Sequence, residues 1–336
     1  MSKKAKEKKK IGAGRIILRI LGALLALVLL ALLTLFVIPL TETGDRSAVE
    51  GSADWMAGLD DGLSLDAIVI PGTHDSGTQY VQLAFFSKCQ ALNIGEQLEA
   101  GCRYLDIRLA VDGDGMKLMH GFTNCRTGAM PWASNLSLDL VLEDCYAFLD
   151  AHPTETVLFV VKQEHGDESV AQFQQVLDGT IRKSPEHWLL TDTIPTLGEA
   201  RGRLVLLRRY EDEAGLGKEA GIPLLWANQN GYEDFSLNTV REDNGSCILW
   251  VQDRYEYPAE EKWTSFTTGL QEAPTGDGNI AIHFLSTKGT AKFGHPYGFA
   301  RDLNPRLAEL EELSGWIVVD FASAPLAAQI YQANFR

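Results

Sequence analysis

Short apolar runs separated by longer amphipathic stretches recur along the chain, at 67–70, 104–109, 116–120, 156–162, 203–209, 247–253, 279–285 and 316–321. Near-continuous apolar runs of this length read as strands buried on both faces. Helical periodicity fits 91–101, 137–151, 168–181, 260–270, 305–314 and 325–333. Strands alternating with helices indicate a parallel sheet, and about eight such strands predict a closed barrel. The pattern breaks once. After 104–109 come Val111, Asp112, Gly113, Asp114 and Gly115, which is hairpin chemistry in place of a crossover helix. Such a hairpin brings His120 to about the height of Arg108 on the sheet.

A different apolar run stands at the N-terminus. The 21 residues from Ile20 to Leu40 carry no charge and follow the basic run MSKKAKEKKK. A helix of that length spans roughly 30 Å, the hydrocarbon thickness of a bilayer. The apolar part of a cleaved signal peptide is shorter, about 7 to 15 residues, and ends at a small-x-small site. The expected organisation is therefore a basic cytoplasmic tail at 1–15, a transmembrane signal anchor at 16–40, a linker at 41–54 and a catalytic domain at 55–336. By the positive-inside rule the lysines stay in the cytoplasm. That makes a single-pass protein of the cell membrane with an extracellular catalytic domain.

Charge divides at the same boundary. Of 30 basic and 45 acidic side chains, eight and one fall in residues 1–40, so residues 41–336 carry 22 and 44, a net of −22. Such a domain is a poor match for nucleic acid and for loose attachment to anionic lipid. Five cysteines, Cys89, Cys102, Cys125, Cys145 and Cys247, are an odd number, so they cannot all pair within the chain. A Cys89–Cys125 bridge is the expected pairing, with Cys102 and Cys145 as buried thiols.

Polar residues gather at the C-terminal ends of the predicted strands, where barrel enzymes carry their sites. They are His74 with Asp75, Asp106 with Arg108, His120, Lys162 with Glu164, Arg209, Asp253 with Tyr255, and Asp320. A lone His-Asp pair in a turn would usually be a cap or a surface feature, and a lone Lys162 or Arg209 a rim ion pair. Their recurrence at one end of strand after strand points to a site.

The ordered segments IPGTHDSGT, YLDIR, MHG, FVVKQE, ARGRLVLLRRY, VQDRY and GWIVVDF resemble those of bacterial phosphatidylinositol-specific phospholipase C, the phospholipase C X-domain family. The resemblance runs from about Leu65 to the C-terminus and implies a distorted (β/α)8 TIM-type barrel, here α/β with one N-terminal transmembrane helix before it. It implies His74 as general base on the inositol 2-hydroxyl, oriented by Asp320. It implies His120 as general acid on the leaving diacylglycerol, partnered by Asp75. Arg108, held by Asp106, would neutralise the phosphate. Lys162, Arg209, Asp253 and Tyr255 would grip the inositol ring, and Glu164 matches the pattern while also suiting a structural ion pair.

Metal-dependent relatives in this resemblance carry an acid where this chain has Arg108 and an asparagine where it has Asp75. A guanidinium supplies the same positive charge and repels a cation, so no metal and no cofactor is expected. The DGDG run at 112–115 lacks the length and closing Glu of a calcium loop and reads as a turn. The expected activity is a membrane-anchored phosphatidylinositol diacylglycerol-lyase, acting on phosphatidylinositol or a GPI-type lipid in a bilayer. Two alternatives stay open: a metal-dependent glycerophosphodiesterase, and a catalytically idle surface domain that binds inositol lipid or glycan. The residues after His120, Phe122 to Pro131, depart from the family pattern. Phe85, Phe86 and Phe293 fall in loops expected near the mouth of the site.

Overall fold

The computed structural model describes residues 13–230 and 239–336; the basic run at 1–10 lies outside them. Among the described residues the sheet holds twelve strands. These are β1 Ile70–Thr73, β2 Tyr104–Asp112, β3 Gly115–His120, β4 Thr123–Asn124, β5 Val157–Gln163 and β6 Trp188–Leu189, then β7 Leu204–Arg208, β8 Ile222–Pro223, β9 Val240–Asp243, β10 Ile248–Gln252, β11 Asn279–Phe284 and β12 Trp316–Val319. Parallel pairing runs β7-β5-β2-β1-β12-β11-β10, with β6 and β8 both on β7. The barrel is distorted where β8 faces β9. There the Asn244 side chain bridges, accepting from the Leu225 N–H at 2.9 Å and donating to the Leu225 carbonyl at 3.1 Å.

Side chains alternate between the two faces of a strand, and that period places the site. Ile70, Tyr104, Leu158, Val160, Val205, Leu207, Leu249, Val251, Ile280, Ile282, Trp316 and Val318 form one buried cluster inside the barrel. Leu105, Ile107, Phe159 and Leu206 pack outward instead, against helices Leu138–Ala151 and Val170–Ile181. Continuing the inward phase past the last apolar residue of each strand gives His74, Asp106 and Arg108, Lys162, Arg209, Asp253 and Asp320. Every strand that ends at this rim therefore delivers its next inward side chain to one place.

The expected hairpin forms. Asp112 pairs with Gly115 and Leu109 with Leu118, across a turn in which Gly113 has φ of +64°. Continued, that register sets Met119 opposite Arg108 and His120 one residue on. One helix lies elsewhere than expected. In place of 305–314, the chain is helical over Pro296–Leu303 and then a 3-10 turn over Asn304–Glu309. Pro296, with its fixed φ and missing N–H, suits a first helical turn, whereas beyond Glu309 the side chains are exposed or partly so, and Leu310 and Leu313 reach the core only from partly buried positions.

The apolar helix Ala13–Leu32 continues through a π-helical stretch, Leu33–Val37, into Ile38–Thr41. Its side chains from 14 to 33 are all exposed, and the 28 residues Gly14–Thr41 suffice by length and composition to cross a membrane. The stretch expected as a linker lies against the barrel. Glu42 and Ser52 are buried, and Trp55, the first residue after it, stacks on Tyr331 with ring centroids 5.0 Å apart. The expected disulfide does not form. All five cysteines are free and buried. Cys89 turns towards His120, with Sγ 3.9 Å from Nδ1, while Cys125 packs in the apolar layer with Leu118 and Leu138.

Candidate active site

The loop after β1 carries the first two residues. Gly72 is needed below it, because a Cβ there would stand 2.7 Å from the Tyr104 Cβ on the neighbouring strand. Gln90, buried, fixes the loop by donating to the carbonyls of His74 at 2.8 Å and Val319 at 2.9 Å. Its oxygen accepts from Ala322 at 3.1 Å, so one amide holds the loops bearing His74 and Asp320 in register. Asp75 has φ of +46°, a left-handed conformation that Asp tolerates better than most residues.

Two carboxylate–imidazole pairs result. His74 Nδ1 lies 2.7 Å from Asp320 Oδ1, and His120 Nδ1 lies 2.6 Å from Asp75 Oδ2. Arg108 bonds to the second pair, with Nη1 3.0 Å from Asp75 Oδ2 and both Nε and Nη2 donating to Asp106 Oδ2 at 3.1 and 3.0 Å. Asp106 also accepts from the Asp75 N–H at 3.1 Å. The hairpin and the arginine strand thus meet through a shared carboxylate, Asp75.

Electrostatics follow from these contacts. Burial pushes the His74 imidazole towards neutrality, but the Asp320 carboxylate more than offsets it and leaves the group above its usual range. Burial raises Asp75 and Asp106, yet the surrounding positive groups together outweigh it and hold both below the usual carboxylate range: Arg108 with His120 and His74 at Asp75, and Arg108 with Arg209 and His74 at Asp106. Arg108 itself is held charged by Asp106 and Asp75 against the cost of burial.

These groups line one side of a cavity of about 410 Å³ whose other walls include Lys162, Arg209, Asp253, Tyr255 and Asn228. Lys162 reaches Glu164 at 2.8 Å, and Glu164 also accepts from the Gly121 N–H at 3.2 Å, beside His120. Arg209 lies flat on Trp226, 3.6 Å from the ring centroid. Tyr255 exchanges hydrogen bonds with Asn228. Every residue expected at the site falls on this cavity or bonds directly to one that does. Sequence reasoning missed Gln90, Trp226 and Asn228. Gln90 and Asn228 lie in loops with no periodicity, and Trp226 signals packing as readily as support for an arginine.

His74, Asp75 and Cys89 present ligand-type atoms within 4.8 Å of one another. They suit a cation poorly. Asp75 Oδ2 is already shared between Arg108 and His120, and burial together with the nearby carboxylates Asp320 and Asp75 pushes the Cys89 thiol up, so it stays protonated.

Residues 70–210 match the family described as Phosphatidylinositol-specific phospholipase C, X domain. The 1-phosphatidylinositol phosphodiesterase of Listeria monocytogenes serovar 1/2a is 30% identical over 300 residues, covering 83% of this chain and 84% of that protein. The chain belongs to the phosphatidylinositol-specific phospholipase C family. The 1-phosphatidylinositol phosphodiesterase of Staphylococcus aureus strain Newman is 29% identical to this phospholipase over 290 residues, covering 80% of this chain and 88% of that one. A solved structure of the S. aureus phosphatidylinositol-specific phospholipase C, from work on its membrane binding, has a TM-score of 0.68 at 26% identity and covers 84% of this chain and 97% of that one. The expected barrel is the family's barrel.

Proposed function

We propose that this phospholipase is a membrane-anchored phosphatidylinositol diacylglycerol-lyase. The observation that carries the reading is the pair of imidazoles on one cavity wall, each tied by Nδ1 to its own aspartate, with a charged arginine bonded to the aspartate of the second. With Nδ1 engaged, Nε2 is the nitrogen left for proton transfer in each ring.

His74, as base, takes the proton of the inositol 2-hydroxyl while that oxygen forms a bond to phosphorus. The bond from phosphorus to the glycerol oxygen breaks, and His120, as acid, supplies the proton that oxygen needs. The products are diacylglycerol and inositol 1,2-cyclic phosphate. Two histidines suit a step that needs one neutral and one protonated group at the same pH. Arg108 stabilises charge on the non-bridging oxygens. Lys162, Arg209 and Asp253 hold ring hydroxyls, Tyr255 offers its ring face, and Glu164 positions Lys162. GPI-type lipids carry the same inositol phosphodiester and fall within the same chemistry. Arg108 fills the place where a cation would act, so the step runs without metal.

The N-terminal helix supports a single-pass anchor, with the lysine-rich end in the cytoplasm and the barrel outside. The test uses the full chain reconstituted with phosphatidylinositol in EDTA, followed by phosphorus NMR. Expected is the five-membered cyclic phosphate signal, absent with His74→Ala. Turnover only after calcium is restored would overturn the role of Arg108. Silence under both conditions would overturn the lyase reading.

A further inference from the structure

We infer that the groove between the outer end of the anchor helix and the barrel rim binds an acyl chain of the lipid being cleaved, so that the anchor is one wall of the substrate site. The inference rests on the lyase reading above. It starts from how the helix ends. Lys88, buried in the rim, donates to the Pro39 carbonyl at 2.8 Å and the Glu42 carbonyl at 2.7 Å, and Glu42 Oε1 lies 2.7 Å from His295 Nε2. The last turn of the anchor is thus fastened to the loop whose next residue, Cys89, touches His120.

Beside this clasp lies a cavity of about 520 Å³. Leu35, Phe36 and Leu40 of the anchor line one side, and Val81, Ala84 and Met130 line the other. The charged residues on its walls are already engaged. Arg46 reaches Glu96 and the Ala91 carbonyl, Arg126 donates to the Ala133 carbonyl, and Lys88 is spent on the clasp. A polar ligand therefore finds no free charge among them, whereas a hydrocarbon chain finds apolar walls.

Continuity with the catalytic cavity decides the occupant. Leu83, Phe122 and Thr123 line both spaces. Phe122 and Thr123 follow His120 in the chain, and His120 protonates the leaving glycerol oxygen in the proposed step. A diacylglycerol leaving that point extends past Phe122 into the groove. The groove opens at the outer end of the membrane helix, and Phe122, Met130 and Trp132 are exposed there, the last at 81%. That is the height at which acyl chains begin, and exposed aromatics are favoured at such an interface.

The test uses full-length protein in proteoliposomes. A His74→Ala variant is irradiated with phosphatidylinositol, or with phosphatidylcholine, bearing a diazirine in one acyl chain. Labels on anchor residues 35–40 and rim residues 122–130 from the inositol lipid alone are expected. Equal labelling by phosphatidylcholine would mean an ordinary lipid-facing surface, and labels elsewhere would mean another path; either overturns the inference. In parallel, Gly128→Trp and Leu40→Trp are assayed on long-chain phosphatidylinositol and on 4-nitrophenyl inositol phosphate, which has no tails. The ratio of lipid to soluble turnover should fall more than about tenfold, as blocking an apolar pocket does. An unchanged ratio in both variants overturns the groove. Failure of the wild type on the soluble diester overturns the lyase reading instead, so the two failures are distinguishable.

Discussion

The rings of His74 and His120 stand 6.4 Å apart, centroid to centroid, with their planes at 78°, and their Nδ1 atoms bond different carboxylates, Asp320 and Asp75. The asymmetry sets the pH behaviour. In the proposed step His74 must be neutral to act as base, and Asp320 holds its folded-state pKa above the usual 6.5. Activity should therefore fall on the acid side of a pH above 6.5, as His74 takes up a proton. Asp320→Asn removes the group that raises His74, so the acid limb of kcat/KM should move to lower pH while kcat drops by about 10²–10⁴. A limb that stays in place would detach Asp320 from the base.

Arg108 is the second point of leverage. Its guanidinium bonds Asp106 through two nitrogens and Asp75 through the third. Lysine cannot reproduce that fork. Arg108→Lys is expected to lower kcat by about 10²–10³ with a smaller change in KM, because the lost interaction belongs to the transition state. A rise in KM alone would make Arg108 a ground-state binder.

Much of this site was legible because it obeys the period of two. Tyr104, Asp106 and Arg108 share one strand face, as do Trp316, Val318 and Asp320, and a short apolar run ended by a charge gives that phase in the sequence. The hairpin at Gly113 was equally plain. Loops were not. Nothing local distinguishes the Gln90 that locks two catalytic loops from a surface glutamine, and helix Pro296–Leu303 was missed because the apolar phase around Leu303 and Leu307 also fits a later start. The cysteines misled for a related reason. Compartment and count argue for a bridge, whereas pairing depends on which way each side chain turns, and here Cys89 faces His120 while Cys125 faces the apolar layer.

The clasp on the anchor makes its own prediction. In Lys88→Met the carbonyls of Pro39 and Glu42 lose a buried charged donor, at a cost of about 1–3 kcal/mol. Amides in the segment 39–46 should then exchange hydrogen faster, and trypsin should cut at Arg46 sooner, while the strands of the barrel keep their protection. Unchanged exchange in that segment would mean that other contacts, such as Glu42 with His295, suffice.

The last prediction concerns a histidine far from catalysis. His283 on β11 points outward, fully buried beneath Gly269, where a Cβ would stand 3.2 Å from Nδ1. Neither ring nitrogen has a hydrogen-bond partner among the described residues. Burial, assisted by the charge of Lys262, pushes its pKa down to about 3 from the usual 6.5. The folded protein thus keeps the ring neutral where the unfolded chain protonates it. Its stabilising contribution is present in full above pH 6.5 and is lost as pH falls towards about 3. Through that window this one proton gives a slope of about 1.4 kcal/mol per pH unit. His283→Leu removes both the titration and two unpaired nitrogens. The unfolding midpoint of the variant should therefore fall less steeply than wild type between pH 6.5 and 4, and activity on the soluble diester should persist at pH 7. Parallel midpoint curves for the two proteins would show that His283 is protonated in the folded state after all.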